Sequence, residues 1–176
     1  MKPAIFLDRD GVLIENRPDY VKTWEEVEIY PGVLDSLAKA SRSPYRFVIV
    51  TNQSGVGRGL IDLQDAEDIN RKLVVEVQKA GGRIDAVSMC IHSPEQNCDC
   101  RKPRPGLILH GARLLGIDLE ESMMIGDALS DMEAGKAAGV GKLAMVRTGR
   151  GEEQLKAIER TPLVFEDLKD ALESLL

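Results

Sequence analysis

Two carboxylates, Asp8 and Asp10, stand one residue apart in FLDRDGV (6–12), with Arg9 between them and Gly11 just after. They follow a short apolar run, PAIFLD (3–8), that reads as a buried strand. Two later apolar runs end in the same way: RFVIVTN (46–52) reaches Thr51, and SMMIGD (122–127) reaches Asp127, with Asp131 close behind. In open parallel sheets, ligands bind beyond the carboxyl ends of the strands, so these groups should meet in one crevice. Any one of them could be a mere cap or turn residue; their joint recurrence argues for a site. Several acids cannot share a crevice fully ionised without a cation. All-oxygen ligands favour a hard ion, Mg²⁺ above all, and that ion beside a free carboxylate suits phosphate chemistry. A transferring phosphoryl group also needs cationic and hydroxyl donors, for which Lys102 and Thr51 are candidates.

The elements that would position these groups alternate. Strand-like runs at 3–8, 46–52, 85–91, 122–127 and 142–146 are separated by helical patterns at 31–40, 62–82, 105–116 and from Asp127 to about Ala138, with a closing helix at 165–176. In the second helix Ile69, Leu73 and Val77 recur on one face, Asp62 is an N-cap by residue type, and Gly81-Gly82 is a stop signal. Alternation of this kind predicts an α/β protein with a mainly parallel sheet, and continuous apolar strands predict helices on both faces. No linker or repeat divides the 176 residues, so one domain spanning 1–176 is expected.

Composition narrows the partners. Lys plus Arg number 23 against 29 Asp plus Glu, a net charge of −6, which argues against nucleic acid but leaves room for a small anionic substrate. No apolar run approaches the roughly 18 residues of a membrane span, and the N-terminus lacks a signal-peptide pattern. A cytoplasmic protein is therefore expected. In a reducing cytosol the three cysteines call for something other than disulfides. All three fall with a histidine in CIHSPEQNCDC (90–100), as Cys90, His92, Cys98 and Cys100. Four such ligands match a closed tetrahedral zinc site, structural because no position remains open for water. The loop runs straight into RKPRPG (101–106), so its expected task is to hold Arg101 and Lys102 over the crevice. The glycine-rich TNQSGVGRG (51–59) could cradle phosphate, but it lacks the ending of a P-loop.

Taken in order, Asp8-Arg9-Asp10-Gly11, the strand reaching Thr51, Lys102 and GDALSD (126–131) resemble the four motifs of the haloacid dehalogenase (HAD) superfamily. The zinc loop narrows the resemblance to the group of heptose bisphosphate and histidinol-phosphate phosphatases, and TNQSGVGRG and CDCRKPRPG look more like the heptose branch. The likeness runs from about residue 4 to 148, and the remainder adds no motif. It implies a three-layer α/β/α, Rossmann-like fold with a small zinc loop. It also implies an Mg²⁺-dependent phosphatase acting on a small phosphorylated sugar. Asp8 would be the nucleophile, forming an aspartyl-phosphate. Asp10 would protonate the leaving sugar oxygen, then activate water, and its carbonyl would join Asp8 and Asp127 on Mg²⁺. Thr51 and Lys102 would stabilise the phosphoryl group; Arg101, with Asn52, Gln53 and Ser54, would bind substrate. Asp131 would support the motif by orienting Lys102, without being a ligand.

Two departures concern specificity. Ala128 stands where many relatives have lysine, and ENRPDYV (15–21) is one residue longer than in some relatives, in a stretch that often touches the sugar. The interval from Gly11 to Thr51 is too short for a large cap domain, so an open site is expected. A histidinol-phosphate phosphatase is the alternative within the fold. A receiver domain would need adjacent acids and no zinc loop, and a non-catalytic phosphosugar binder would have no use for Asp10. A monomer is the family-level expectation.

Overall fold

The computed structural model describes residues 1–157 and 162–176. Among these, six strands form one sheet: β1 (Lys2–Leu7), β2 (Arg46–Asn52), β3 (Ala86–Cys90), β4 (Ile117–Gly126), β5 (Lys142–Val146) and β6 (Leu163–Phe165). All neighbours are parallel, in the order β3-β2-β1-β4-β5-β6. The helices are α1 (Val33–Ala40), α2 (Ser54–Gly57), α3 (Leu63–Lys79), α4 (Gly106–Leu115), α5 (Leu129–Ala138), α6 (Gly151–Gln154) and α7 (Leu168–Leu175).

Strand side chains alternate between faces, and the core divides accordingly. Ile5, Leu7, Phe47, Ile49, Met123 and Ile125 pack with Leu37 of α1, Ile69 and Leu73 of α3 and Leu172 of α7. Their neighbours Phe6, Val48, Val50, Met124 and Met145 pack with Ile108 of α4 and Met132 of α5. These two clusters are the outer seams of a three-layer α/β/α sandwich with no large cap. Each such buried side chain contributes about 2 kcal/mol relative to exposure, so the sheet is a firm floor. The chain moves outward from β1 to β2 and β3, then crosses to β4 on the other side of β1. That reversal opens a crevice at the carboxyl ends of β1 and β4.

Three element boundaries differ from the sequence expectation. β4 starts at Ile117, five residues before the apolar run at 122, because Lys2 and Pro3 pair with Ile117 and Asp118 ahead of a register shift. Ser122 fills that irregularity: its hydroxyl accepts from the Ala4 amide at 2.9 Å and donates to the Asp118 carbonyl. The polar residues 118–121 hide this half of the strand from a periodicity reading. The closing helix starts at Leu168, not 165, because Asp167 caps it by accepting from the Asp170 amide at 2.8 Å. Residues 163–165 instead form the short strand β6. The second helix ends at Lys79, before the left-handed Gly81.

Candidate active site

Asp8 follows β1, Thr51 lies in the last turn of β2, and Asp127 follows β4, so the middle of the sheet brings all three together. Asp8 is almost fully buried and its amide donates to the Ile125 carbonyl at 3.0 Å. One carboxylate oxygen, Oδ1, lies 2.9 Å from Lys102 Nζ. That ammonium also reaches Asp131 Oδ1 at 2.6 Å and donates to the Val50 carbonyl at 2.8 Å. Two ion pairs and one hydrogen bond thus engage the buried ammonium. Asp131, in the first turn of α5, accepts from the Ala128 amide at 3.1 Å with its other oxygen. Asp131 is thus bound to Lys102, the supporting position expected for it.

Lys102 comes from a loop, and Asn52 holds it there. The Asn52 amide nitrogen donates to the Lys102 carbonyl at 3.0 Å, and the Lys102 N–H donates to Asn52 Oδ1 at 3.1 Å. Gln53 is likewise turned to its neighbours: Nε2 donates to Asp10 Oδ2 and to Thr51 Oγ1, each at 2.8 Å. Thr51 is fully buried, with Oγ1 3.5 Å from Asp10 Oδ2. Ser54 Oγ lies 3.4 Å from the Tyr20 hydroxyl. Between the two acids the chain turns sharply, as their opposed strand positions require. Arg9, Leu13 and Ile14 close that turn through the Arg9 carbonyl, and Gly11 adopts φ 90°.

The turn packs against a segment that carries no motif. The Thr148 hydroxyl donates to the Gly11 carbonyl at 2.7 Å, and the Arg150 amide donates to Asp127 Oδ2 at 2.8 Å. The Arg150 guanidinium adds contacts of 3.3–3.4 Å to the same carboxylate. A Cβ at Gly11 or Gly149 would run into Asp127, so glycine is required at both positions. The stretch after 148, which carries no motif in the sequence, thus packs against the site, and its shortest bond there is made by the Arg150 backbone N–H. In TNQSGVGRG the structure gives one glycine a packing role. Part of it forms α2, and a Cβ at Gly57 would strike the Ser93 amide and the Ile91 carbonyl, so that glycine serves close packing against the cysteine loop.

Charge is unevenly matched here. Asp8, Asp127 and Asp131 each offer an oxygen within 4.8 Å of the others. Burial, with Asp131 close by, pushes the Asp8 carboxyl up to about 6 despite Lys102. Burial and Asp8 push Asp127 upward too. Burial alone would depress Lys102, but Asp131 and Asp8 hold it well above the usual lysine range. The dry acids thus outweigh their local cations, an environment that suits an added divalent ion.

Above this floor opens a cavity of about 660 Å³. Arg17, Arg101 and Arg150 line it, together with Asn16, Tyr20 and Ser130. Arg101 Nη1 is buried and has no hydrogen-bond partner among the described residues. At the rim, the Sγ atoms of Cys90, Cys98 and Cys100 and the His92 Nδ1 form a cluster with separations of 3.2–3.6 Å. Tetrahedral zinc with Zn–S bonds of about 2.3 Å would set ligand atoms only slightly further apart. Burial and the neighbouring thiols push Cys100 up to about 12. Burial also opposes ionisation of Cys98, yet hydrogen bonds from Cys100 and the Arg101 amide bring it down to about 7. Three thiolates cannot coexist at these distances without a cation.

A parallel sheet with acids at its central strand ends, a buried lysine between two of them and an open anion-binding cavity defines a HAD-type phosphoric monoester hydrolase. A family model described as "HAD-hyrolase-like" matches residues 99–171. A D-glycero-beta-D-manno-heptose-1,7-bisphosphate 7-phosphatase from Pseudomonas putida is 38% identical over 165 residues, covering 93% of this chain and 94% of the relative. The enzyme of that name from Helicobacter pylori is 43% identical over 138 residues, covering 78% and 79%. Among solved structures, D,D-heptose 1,7-bisphosphate phosphatase from Bordetella bronchiseptica, complexed with magnesium and phosphate, superposes with a TM-score of 0.93 at 36% identity, covering 98% of this chain and 97% of that one. The chain belongs to the D-glycero-D-manno-heptose-1,7-bisphosphate 7-phosphatase family of the HAD superfamily.

Proposed function

We propose that this single-domain protein removes the 7-phosphate of D-glycero-D-manno-heptose 1,7-bisphosphate. The observation that carries the chemistry is the buried Asp8–Lys102 pair at the floor of the cavity. Asp8 attacks phosphorus, the sugar oxygen leaves with a proton from Asp10, and an aspartyl-phosphate forms. Asp10 then takes a proton from the water that hydrolyses it. Splitting one displacement into two lowers each barrier. Lys102 and Thr51 stabilise the phosphoryl charge, and Asn52 and Gln53 hold Lys102 and Asp10 in place. Asp8, Asp127 and the Asp10 carbonyl form the oxygen set for Mg²⁺, which when bound supplies charge neutralisation at the phosphoryl oxygens. The raised Asp8 and Asp127 carboxyls support that assignment.

A doubly phosphorylated sugar suits the cavity because cations remain after Lys102 is used. Arg101, with an unpartnered buried nitrogen, and Arg17 are available to a second phosphate, and Ser54 lines the same wall. Phosphate release should be compared for both anomers of the heptose bisphosphate and for histidinol phosphate, with Mg²⁺. A strong preference for one heptose anomer is expected. Preference for histidinol phosphate would overturn the substrate assignment and turn attention to Ala128.

Cys90, His92, Cys98 and Cys100 are read as a structural zinc site. Metal analysis should find about one zinc per chain, and Cys100→Ser should lose it, with a stability loss of about 2 kcal/mol or more in thermal melts. Thiols that react freely in protein as purified, with no zinc present, would refute this. No described helix is long and apolar enough to cross a membrane. Residence in the cytoplasm as a monomer, with thiols kept reduced, completes the proposal.

A further inference from the structure

Arg9 is fully buried and is the largest side chain so enclosed, yet it takes no part in the reaction described above. Each of its three guanidinium nitrogens has a partner. Nε donates to Asp10 Oδ2 at 3.0 Å, Nη2 donates to Asp10 Oδ1 at 3.1 Å, and Nη1 donates to Asn70 Oδ1 at 2.9 Å. Asn70 lies on α3, almost fully buried, and its own amide nitrogen reaches Met89 Sδ at 3.3 Å. A planar fork on both oxygens fixes direction as well as charge. Simple charge balance does not call for this. Asp10 borders the cavity, with its side chain 21% exposed, where water could solvate it. Enclosing an arginine completely and bracing it with an amide is costly, and what the arrangement adds is a single orientation for the carboxylate.

The two oxygens are not equivalent. Oδ2 accepts from Arg9 Nε and Gln53 Nε2 and lies near Thr51 Oγ1, whereas among the described residues Oδ1 accepts only from Arg9 Nη2. We propose that Arg9 is a positioning residue for proton transfer: braced by Asn70, it holds the Asp10 carboxylate so that Oδ1 carries the proton to and from the substrate. This rests on the reading of Asp10 as the acid/base. In the first step the Oδ1 proton passes to the bridging oxygen as the sugar–phosphorus bond breaks and the Asp8–phosphorus bond forms. In the second, Oδ1 takes a proton from water as its oxygen bonds to phosphorus and the Asp8–phosphorus bond breaks.

A leaving-group comparison separates orientation from general damage. A sugar alkoxide needs the proton; p-nitrophenolate scarcely does. First-turnover rates would be measured by rapid quench with Mg²⁺ for the heptose bisphosphate and for p-nitrophenyl phosphate. Arg9→Gln should slow the heptose substrate about 30-fold or more while slowing the p-nitrophenol burst much less, since general acid catalysis is worth about 10²–10⁴. Arg9→Lys should recover only part of the loss, because an ammonium cannot span both oxygens. Asn70→Ala keeps Arg9 and removes its brace, together with the contact to Met89 Sδ. It should show the same selectivity at about threefold to tenfold, and it decides the matter if Arg9→Gln does not fold. Equal slowing of both substrates, or no slowing of either, overturns the proposal. Asp10→Asn serves as the reference. Selective loss there without selectivity in the Arg9 and Asn70 variants defeats the positioning role alone. Unselective loss in Asp10→Asn defeats the acid/base reading, and the positioning role with it.

Discussion

Asp8→Asn should leave no measurable phosphate release, a fall of at least about 10⁴-fold, because an amide cannot attack phosphorus and no other buried carboxylate stands in its place. The variant should still fold, since Lys102 keeps Asp131 and the Val50 carbonyl as partners. It should even be more stable without metal at neutral pH. The wild-type carboxyl sits at about 6 when folded against 3.8 ordinarily, so ionising it works against the fold. That penalty is absent below about pH 4, grows through about pH 6, and is complete above. Metal-free melts of the two proteins should therefore coincide at low pH and separate, in favour of asparagine, as pH rises. Mg²⁺ should stabilise the wild type over the same window, since it binds the ionised form. Retained turnover would remove Asp8 as the nucleophile, and melts that separate in the opposite direction would contradict its environment.

Lys102→Met should be damaging in two ways at once. It removes the one ammonium shared by Asp8 and Asp131. Breaking a buried ion pair by deleting one member costs about 3–5 kcal/mol, because the remaining charge is stranded. Here two carboxylates are stranded, so a clear fall in melting temperature is expected, steepest above pH 6 and relieved in acid as Asp8 takes up its proton. Loss of the cation from the transferring phosphoryl group should also lower kcat by about 10²–10³. Denaturation curves and kcat at saturating substrate test the two effects separately. A variant as stable as the wild type at pH 8 would mean that the acids are not held by Lys102. An unchanged kcat would exclude it from catalysis.

What could be foreseen follows from how local each signal is. Asp8, Thr51 and Asp127 announced themselves because strand ends are written in a few consecutive residues and the parallel sheet dictates where such ends lie. Lys102 could be read as a candidate cation but not placed, because the Asn52 clamp that sets it joins positions 50 residues apart. Arg150 escaped notice because its amide, not its side chain, makes the shortest bond to Asp127. The early start of β4 escaped because Pro3 and Ser122 must be seen together before 118–121 can be recognised as strand. In Arg9 the sequence offered a charge beside two acids, but its complete burial is a property of the packed molecule.

The cavity wall contributed by residues 15–20 has a different relation to the fold from its floor. Ile14 and Val21 anchor that loop in the core, while 15–19 between them are exposed. Asp8, Lys102 and Asp131 lie in the interior, where almost any change disturbs stability. Asn16 and Arg17 can change at little cost to folding, yet they line the cavity. Mutational drift is thus free to reshape this wall of the cavity while the groups on its floor stay fixed.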